Sequence, residues 1–122
     1  MNEFYTPYDI VWIKNVTNKE TGVAYMNEPD DFILHISNQF KNEILKPKVG
    51  EIILLYQNIR GKGKAFTHLV IPVNNIKEDT KRENFSFGRK VQTIALADND
   101  NFIYIQDTIW KNVDFKLISR GG

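Results

Sequence analysis

The sequence predicts an α+β domain that is mostly β. Three observations carry this: aromatic and β-branched residues gather in short runs, the runs are separated by Gly, Asn, Asp and Pro, and only one stretch shows a helical period. The 122 residues are one domain's worth of chain, and 42% hydrophobic with 25% charged residues is an ordinary composition for a folded protein.

Residues 8–16 alternate, with Ile10, Trp12 and Val16 directed to one face and Val11 and Ile13 to the other. Apolar residues on both faces predict a central first strand. Phe32, Ile36, Phe40 and Ile44 then recur every fourth residue behind Asp30 and Asp31, which are suited to cap a helix. Residues 32–36 alone fit a strand equally well, so the expected helix is a short one between Asn38 and Leu45. Pro47 and Gly50 stop it and launch the next strand.

Residues 51–57 and 65–73 are the strongest later runs. They are joined by residues 58–64, whose two glycines can take the positive φ that a hairpin connection needs. Residues 76–86 are dense in charge and have no period, which reads as an exposed loop or a marginal helical turn. Residues 89–97 and 102–106 predict a second hairpin across Asp98-Asn99-Asp100-Asn101. Residues 113–118 predict a last strand.

Several chemistries are excluded. With no cysteine there is no disulfide framework, no Cys-based zinc site and no thiol nucleophile. No apolar stretch approaches the roughly 18 to 20 residues that span a bilayer. Met1-Asn2-Glu3 is polar where a signal peptide is basic, so the expected compartment is the cytoplasm. His35 and His68 are isolated from each other in sequence and fit no metal-ligand spacing, so both are expected to be partly buried and hydrogen-bonded. Glu43 and Lys46 have two residues between them, which on a strand would place them on opposite faces and excludes a nuclease-type carboxylate–lysine pair. Gly61-Lys62-Gly63-Lys64 lacks the spacing of a phosphate loop. No catalytic residue, metal or cofactor is expected.

Charge is segregated instead. Sixteen basic and fifteen acidic residues leave a net charge of +1, but residues 1–31 hold two lysines against six acids, a net −4. Residues 41–64 hold six basic residues against two acids, a net +4. The Lys46/Lys48 turn and the Arg60, Lys62, Lys64 turn flank one predicted strand, about 25 Å or less apart at the usual strand rise. Arg89 and Lys90 add to the basic set.

The segment Lys46-Pro47-Lys48-Val49-Gly50-Glu51-Ile52-Ile53-Leu54-Leu55-Tyr56 resembles the signature of PUA-like domains, particularly the EVE and YTH branches. These place a Lys-X-Gly-Asp turn before a strand that ends in an aromatic residue; Glu51 stands here for the Asp. Val11-Trp12-Ile13-Lys14-Asn15 is similar to their first strand, and Gly88-Arg89-Lys90-Val91-Gln92-Thr93-Ile94 to a downstream barrel strand. The resemblance implies a small mixed β-barrel of about five to six strands with one or two short helices over residues 1–122. It also implies recognition of DNA or RNA, often through a modified base held in an aromatic and polar pocket. Carried over residue by residue, it implies a pocket from Lys14, Asn15 and Tyr56, with Ser37, Asn38 and Phe40 on its wall. Trp12 shares a face with Ile10 and Val16 and fits the core better than an aromatic cage. Trp110 follows an expected turn at Asp107-Thr108 and suits the covering of a barrel end.

The expected function is a noncatalytic nucleic-acid-binding module in which Arg60, Lys62, Lys64 and Arg89 hold phosphates. The alternative is a protein-interaction or regulatory domain of a larger enzyme or defence protein, prompted by the abrupt end at Gly122.

Overall fold

Five long strands, β1 (Ile10–Asn15), β2 (Asp31–Ile36), β3 (Ile52–Ile59), β4 (Gly63–Pro72) and β6 (Phe87–Leu96), curl into a half-barrel sheet. Three two-residue strands join them: β5 (Glu78–Asp79), β7 (Ile103–Tyr104) and β8 (Lys116–Leu117). The order across the sheet is β2-β6-β4-β3-β1-β8, with β5 on β6 and β7 on β4. β1 runs parallel to β3 and β8 while the other pairs are antiparallel, so the sheet is mixed. The computed structural model describes residues 9–16, 24–25, 29–36, 38–59, 63–81, 86–96, 103–104 and 116–117.

β1 is central, between β3 and β8, as its two apolar faces predict. Its faces differ from simple alternation. The β1–β3 register shifts between Ile10 and Trp12, and one extra residue reverses every side chain before it. Ile10 therefore packs with Leu54, Phe66 and Leu69, while Trp12 and Val16 belong to a larger cluster on the opposite face. That larger cluster joins Phe32, Leu34 and Ile36 of β2 to Ile53, Leu55, Val70 and Val91.

The four-residue period after Asp31 is divided between two elements. Phe32, Leu34 and Ile36 alternate inward from β2, which pairs antiparallel with β6 from Asp31↔Gln92 to Ile36↔Phe87. Asp30 caps no helix; its carbonyl accepts the Thr93 amide at 2.7 Å. Residues Asn38–Leu45 form a 3-10 helix, not an α-helix. Eight residues ahead of Pro47 recover little of the cost of nucleating an α-helix, and the tighter turn aligns positions three apart. Glu43 and Lys46 use that alignment to form an ion pair, and the Lys46 amide donates to the Glu43 carbonyl at 3.2 Å. Ile44 points from the helix into the core.

The β3–β4 hairpin forms as expected and pairs out to Ile59↔Gly63, leaving residues 60–62 between the strands. The second expected hairpin does not form. β7 pairs with Ala65 and Phe66 of β4, beyond the His68–Pro72 stretch that holds β6. β6 and β7 both oppose β4, so they run in one direction along its edge. The Asp/Asn run signals a chain interruption, while the length of β4 decides the pairing. Residues 78–79, expected in a loop or helical turn, pair with Phe87 and Gly88, and the Thr80 amide donates to the Ser86 carbonyl at 2.7 Å. Of the expected last strand, Lys116–Leu117 lie among the described residues and form β8; residues 113–115 and 118 lie outside them.

Gly88 is required where β2 and β6 approach. A Cβ there would lie 2.5 Å from Ile33 Cγ2 and 2.9 Å from the Leu34 carbonyl oxygen. Among the described residues no helix is long and apolar enough to cross a membrane.

Candidate functional site

The segment that launches β3 is a tight turn. The Glu51 amide donates to the Lys48 carbonyl at 2.9 Å, and Gly50 at the third position has φ 86°, the geometry of a type II turn. The Glu51 carboxylate accepts the Lys48 amide at 2.8 Å and the Trp12 indole N–H at 2.8 Å through the same oxygen. Trp12 is half-buried against the core cluster, so it anchors β1 to this turn.

Asn15 and Tyr56 are partners in the β1–β3 register and share the face of Leu54 and Phe66. The Val16 amide donates to the Tyr56 carbonyl at 2.8 Å and holds the two strand ends together. Burial raises the Tyr56 hydroxyl's pKa, and a hydrogen bond from the Asn15 side chain works against that shift. Asn15 Oδ1 is buried with no hydrogen-bond partner among the described residues. Such an orphan acceptor costs about 1–3 kcal/mol and calls for an explanation. Two residues further along β3, roughly 7 Å at the strand rise, Asn58 pairs with Lys64, and both are exposed. The alternation from Tyr56 and Phe66 puts these two on the same face as Asn15.

Lys14 is not part of that group. It pairs with Leu55, and Leu55 with His68, so this rung faces the main core. Lys14 is 0% exposed, and among the described residues its ammonium donates only to the neighbouring Asn15 carbonyl, at 3.4 Å. Burial lowers its pKa to about 8.

Beside it runs a buried hydrogen-bond chain that pins residues 24–25 to the sheet. Gln57 accepts the Ala24 amide at 2.6 Å and donates to the Ala24 carbonyl at 3.1 Å and to Thr67 Oγ1 at 3.0 Å. Thr67 Oγ1 lies 2.7 Å from His68 Nδ1, and His68 Nε2 lies 3.2 Å from the Tyr25 carbonyl. A carbonyl only accepts, so Nε2 carries the proton and Thr67 donates to Nδ1. A register shift between Leu55 and Tyr56 lets the consecutive residues Thr67 and His68 both join this network. Burial lowers the His68 pKa; its bond to the Tyr25 backbone opposes this. His35 is half-buried, its amide donating to the Tyr25 hydroxyl at 3.1 Å. Both histidines are thus buried or half-buried and hydrogen-bonded, as expected.

Arg89 does not face a phosphate site. It is 1% exposed, and its Nη1 donates to the Ile44 and Pro47 carbonyls. Nε donates to the Asn74 carbonyl at 2.9 Å and Nη2 to Asn75 Oδ1 at 2.8 Å. Burial lowers its pKa from the usual arginine value, with Glu51 opposing the shift. Alternation on β6 puts Arg89 on the side of Val91, which its charge gave no reason to expect.

Asn38 and Phe40 fall in the 3-10 helix, which packs on β6 and β2, at the other end of the strand order from β1. Ser37, Arg60, Lys62 and Trp110 lie outside the described residues. Of the expected pocket, the structure brings together Asn15 and Tyr56, and it adds Asn58 and Lys64 to their face. Period-two alternation from Tyr56 is the signal that identifies Asn58. No protein-family model matches the chain, and neither a curated protein nor a solved structure matches it.

Proposed function

We propose that the chain is a noncatalytic nucleic-acid-binding module of PUA-like type, and that the face of Asn15, Tyr56, Asn58 and Lys64 holds a base and its flanking phosphates. The observation that carries this reading is the orphan acceptor Asn15 Oδ1 beside a half-buried tyrosine. With the Asn15 side chain turned outward, a base N–H group supplies the donor that its buried Oδ1 lacks, and an aromatic ring supplies stacking worth about 1–3 kcal/mol per base. Lys64 contacts a phosphate, and Arg60 and Lys62 of the same connection extend the contact. The segregated charge supports the reading: a total of +1 with a local excess of +4 suits a protein that grips at one place and selects by a pocket.

The test is a titration at low salt with labelled single-stranded RNA and DNA, each with and without a methylated base. Binding is expected, and the Lys62→Ala/Lys64→Ala variant is expected to flatten the slope of log K against log salt by about 1.4, two phosphates' worth on a single strand. Absence of binding to every oligonucleotide, or a slope unchanged by the double substitution, removes the proposal.

A further inference from the structure

The buried Arg89 guanidinium ties three stretches of chain together at the end of the sheet where β3 starts. Its acceptors belong to the end of the 3-10 helix and Pro47, and to the turn at Asn74 and Asn75. The Gly50 amide donates to the Pro72 carbonyl at 3.3 Å, the Val73 amide to the Lys90 carbonyl at 3.1 Å, and the Ile76 amide to Asn74 Oδ1 at 3.1 Å. An exposed aliphatic side chain stands within two residues of each tie. These are Leu45 at 41% exposure, Val49 at 51%, Val73 at 38% and Ile76 at 56%. Two cross-tied segments, residues 44–50 and 72–76, thus carry four exposed aliphatic groups at one end of the sheet, and an apolar patch on a protein surface seldom lacks a use.

Lysines alternate with these groups in sequence. Lys46 follows Leu45, Lys48 precedes Val49 and Lys77 follows Ile76, all exposed, and Lys90 is exposed beside Val73. The nearby carboxylates are engaged: Glu43 with Lys46, and Glu51 with the Lys48 amide and Trp12. Lys77 lies over the Phe87 ring, 5.2 Å from its centroid, and is followed by the half-buried Glu78. Among the described residues no carboxylate pairs with Lys48 or Lys90, and their charge is left to answer.

We infer that this end of the half-barrel is a docking surface for an acidic segment of a partner protein. The segment carries aliphatic side chains to cover Leu45, Val49, Val73 and Ile76, and carboxylates to meet Lys48 and Lys90. The chemistry argues against the other occupants. Every exposed large apolar residue described is aliphatic, and the nearby Phe87 ring is half-buried beneath Lys77, so no exposed ring is described there for a base to stack on. A bilayer interface favours tryptophan, tyrosine and phenylalanine, none of which is among the exposed apolar residues described. The surface is independent of the proposed base site. Four and six residue steps along β3 separate Ile52 from Tyr56 and Asn58, roughly 13 to 20 Å at the strand rise, and the docking surface lies beyond the start of that strand.

The test is selection of displayed random peptides, each about a dozen residues long, on the wild-type protein, with counter-selection on Val49→Asp/Ile76→Asp. Both positions are exposed, and circular dichroism checks that the variant folds. Enriched peptides are expected to interleave Asp or Glu with Leu, Ile or Val. Synthesised, they are expected to bind the wild type at least about tenfold more tightly than the variant, as for loss of a central apolar anchor. Lys48→Ala/Lys90→Ala is expected to weaken them in a salt-dependent way. No enrichment, enrichment without acidic residues, or equal binding to the variant overturns the inference. So does patch-dependent binding of phosphatidylserine vesicles or of a single-stranded oligonucleotide in place of peptides. Sedimentation of the wild type as a dimer that Val49→Asp/Ile76→Asp dissolves would also overturn it, assigning the face to a second copy of the chain.

Discussion

Replacing Lys14 with methionine is expected to stabilise the fold. The lysine is 0% exposed and faces Leu55 and His68, and among the described residues no carboxylate pairs with it. Its pKa is about 8 in the folded chain against 10.5 for a free lysine. At about 1.4 kcal/mol per pKa unit, that depression is a cost of roughly 3 kcal/mol for holding the ammonium in the core at neutral pH. Methionine has a similar length and no charge, so Lys14→Met is expected to raise the unfolding free energy at pH 7 by up to about 3 kcal/mol.

The sign of the pH dependence follows from the same depression. Below pH 8 both folded and unfolded chains carry the proton, and the full cost is present. Between pH 8 and 10.5 the unfolded chain holds more protons than the folded one, so the wild type gains stability from this group as pH rises. Urea unfolding of both proteins at pH 7, 9 and 10.5, followed by circular dichroism, is expected to show the gap closing as pH rises. A less stable Lys14→Met protein at pH 7, or a gap that does not change with pH, would show that the buried ammonium carries no such cost.

Three further outcomes are expected. Arg89→Met leaves the Ile44, Pro47 and Asn74 carbonyls and Asn75 Oδ1 without their donor, a loss of more than about 3 kcal/mol in chemical denaturation. Arg89→Lys is expected not to rescue it, because an ammonium lacks the planar fork that reaches all four. His68 has a lowered pKa in the folded chain, so its contribution to stability is complete above about 6.5 and declines as pH falls below that value. The thermal midpoint is therefore expected to drop more steeply from pH 7 to 5 in the wild type than in His68→Leu. Gly88→Ala brings a methyl group against the Leu34 carbonyl and is expected to cost about 1–3 kcal/mol by thermal unfolding.

Local alternation and turn chemistry made much of the sheet legible. The β3–β4 hairpin, the central β1 and the turn at Gly50 each follow from residues near one another in sequence. What stayed hidden depends on distant partners. One extra residue near Val11 moves Ile10 to the face opposite Trp12, and no propensity of these residues announces it. The Asp/Asn run after β6 carries a turn signal, yet β7 finds β4 because β4 is long enough to hold two partners. The four-residue spacing from Phe32 to Ile44 is shared by a strand and a 3-10 helix, which a period alone does not separate.

The site was legible in the same uneven way. Asn15 and Tyr56 meet because parallel pairing of β1 and β3 puts them in register, and the family resemblance named both. The resemblance assigns Lys14 to a pocket and charge assigns Arg89 to a phosphate, but strand parity directs both into the interior. Glu51 looked like a departure from a turn motif. Its carboxylate instead joins that turn to Trp12, a contact 39 positions apart in sequence.

The most direct measurement is a nitrogen-15 NMR titration of the protein with a single-stranded oligonucleotide at low salt. The Asn15 side-chain amide and the backbone amides of Tyr56, Asn58 and Lys64 are expected to shift together and saturate, while those of Val49 and Ile76 stay in place. Shifts confined to the Val49 and Ile76 end, or no saturable shift at Asn15 and Tyr56, would contradict the proposed base site.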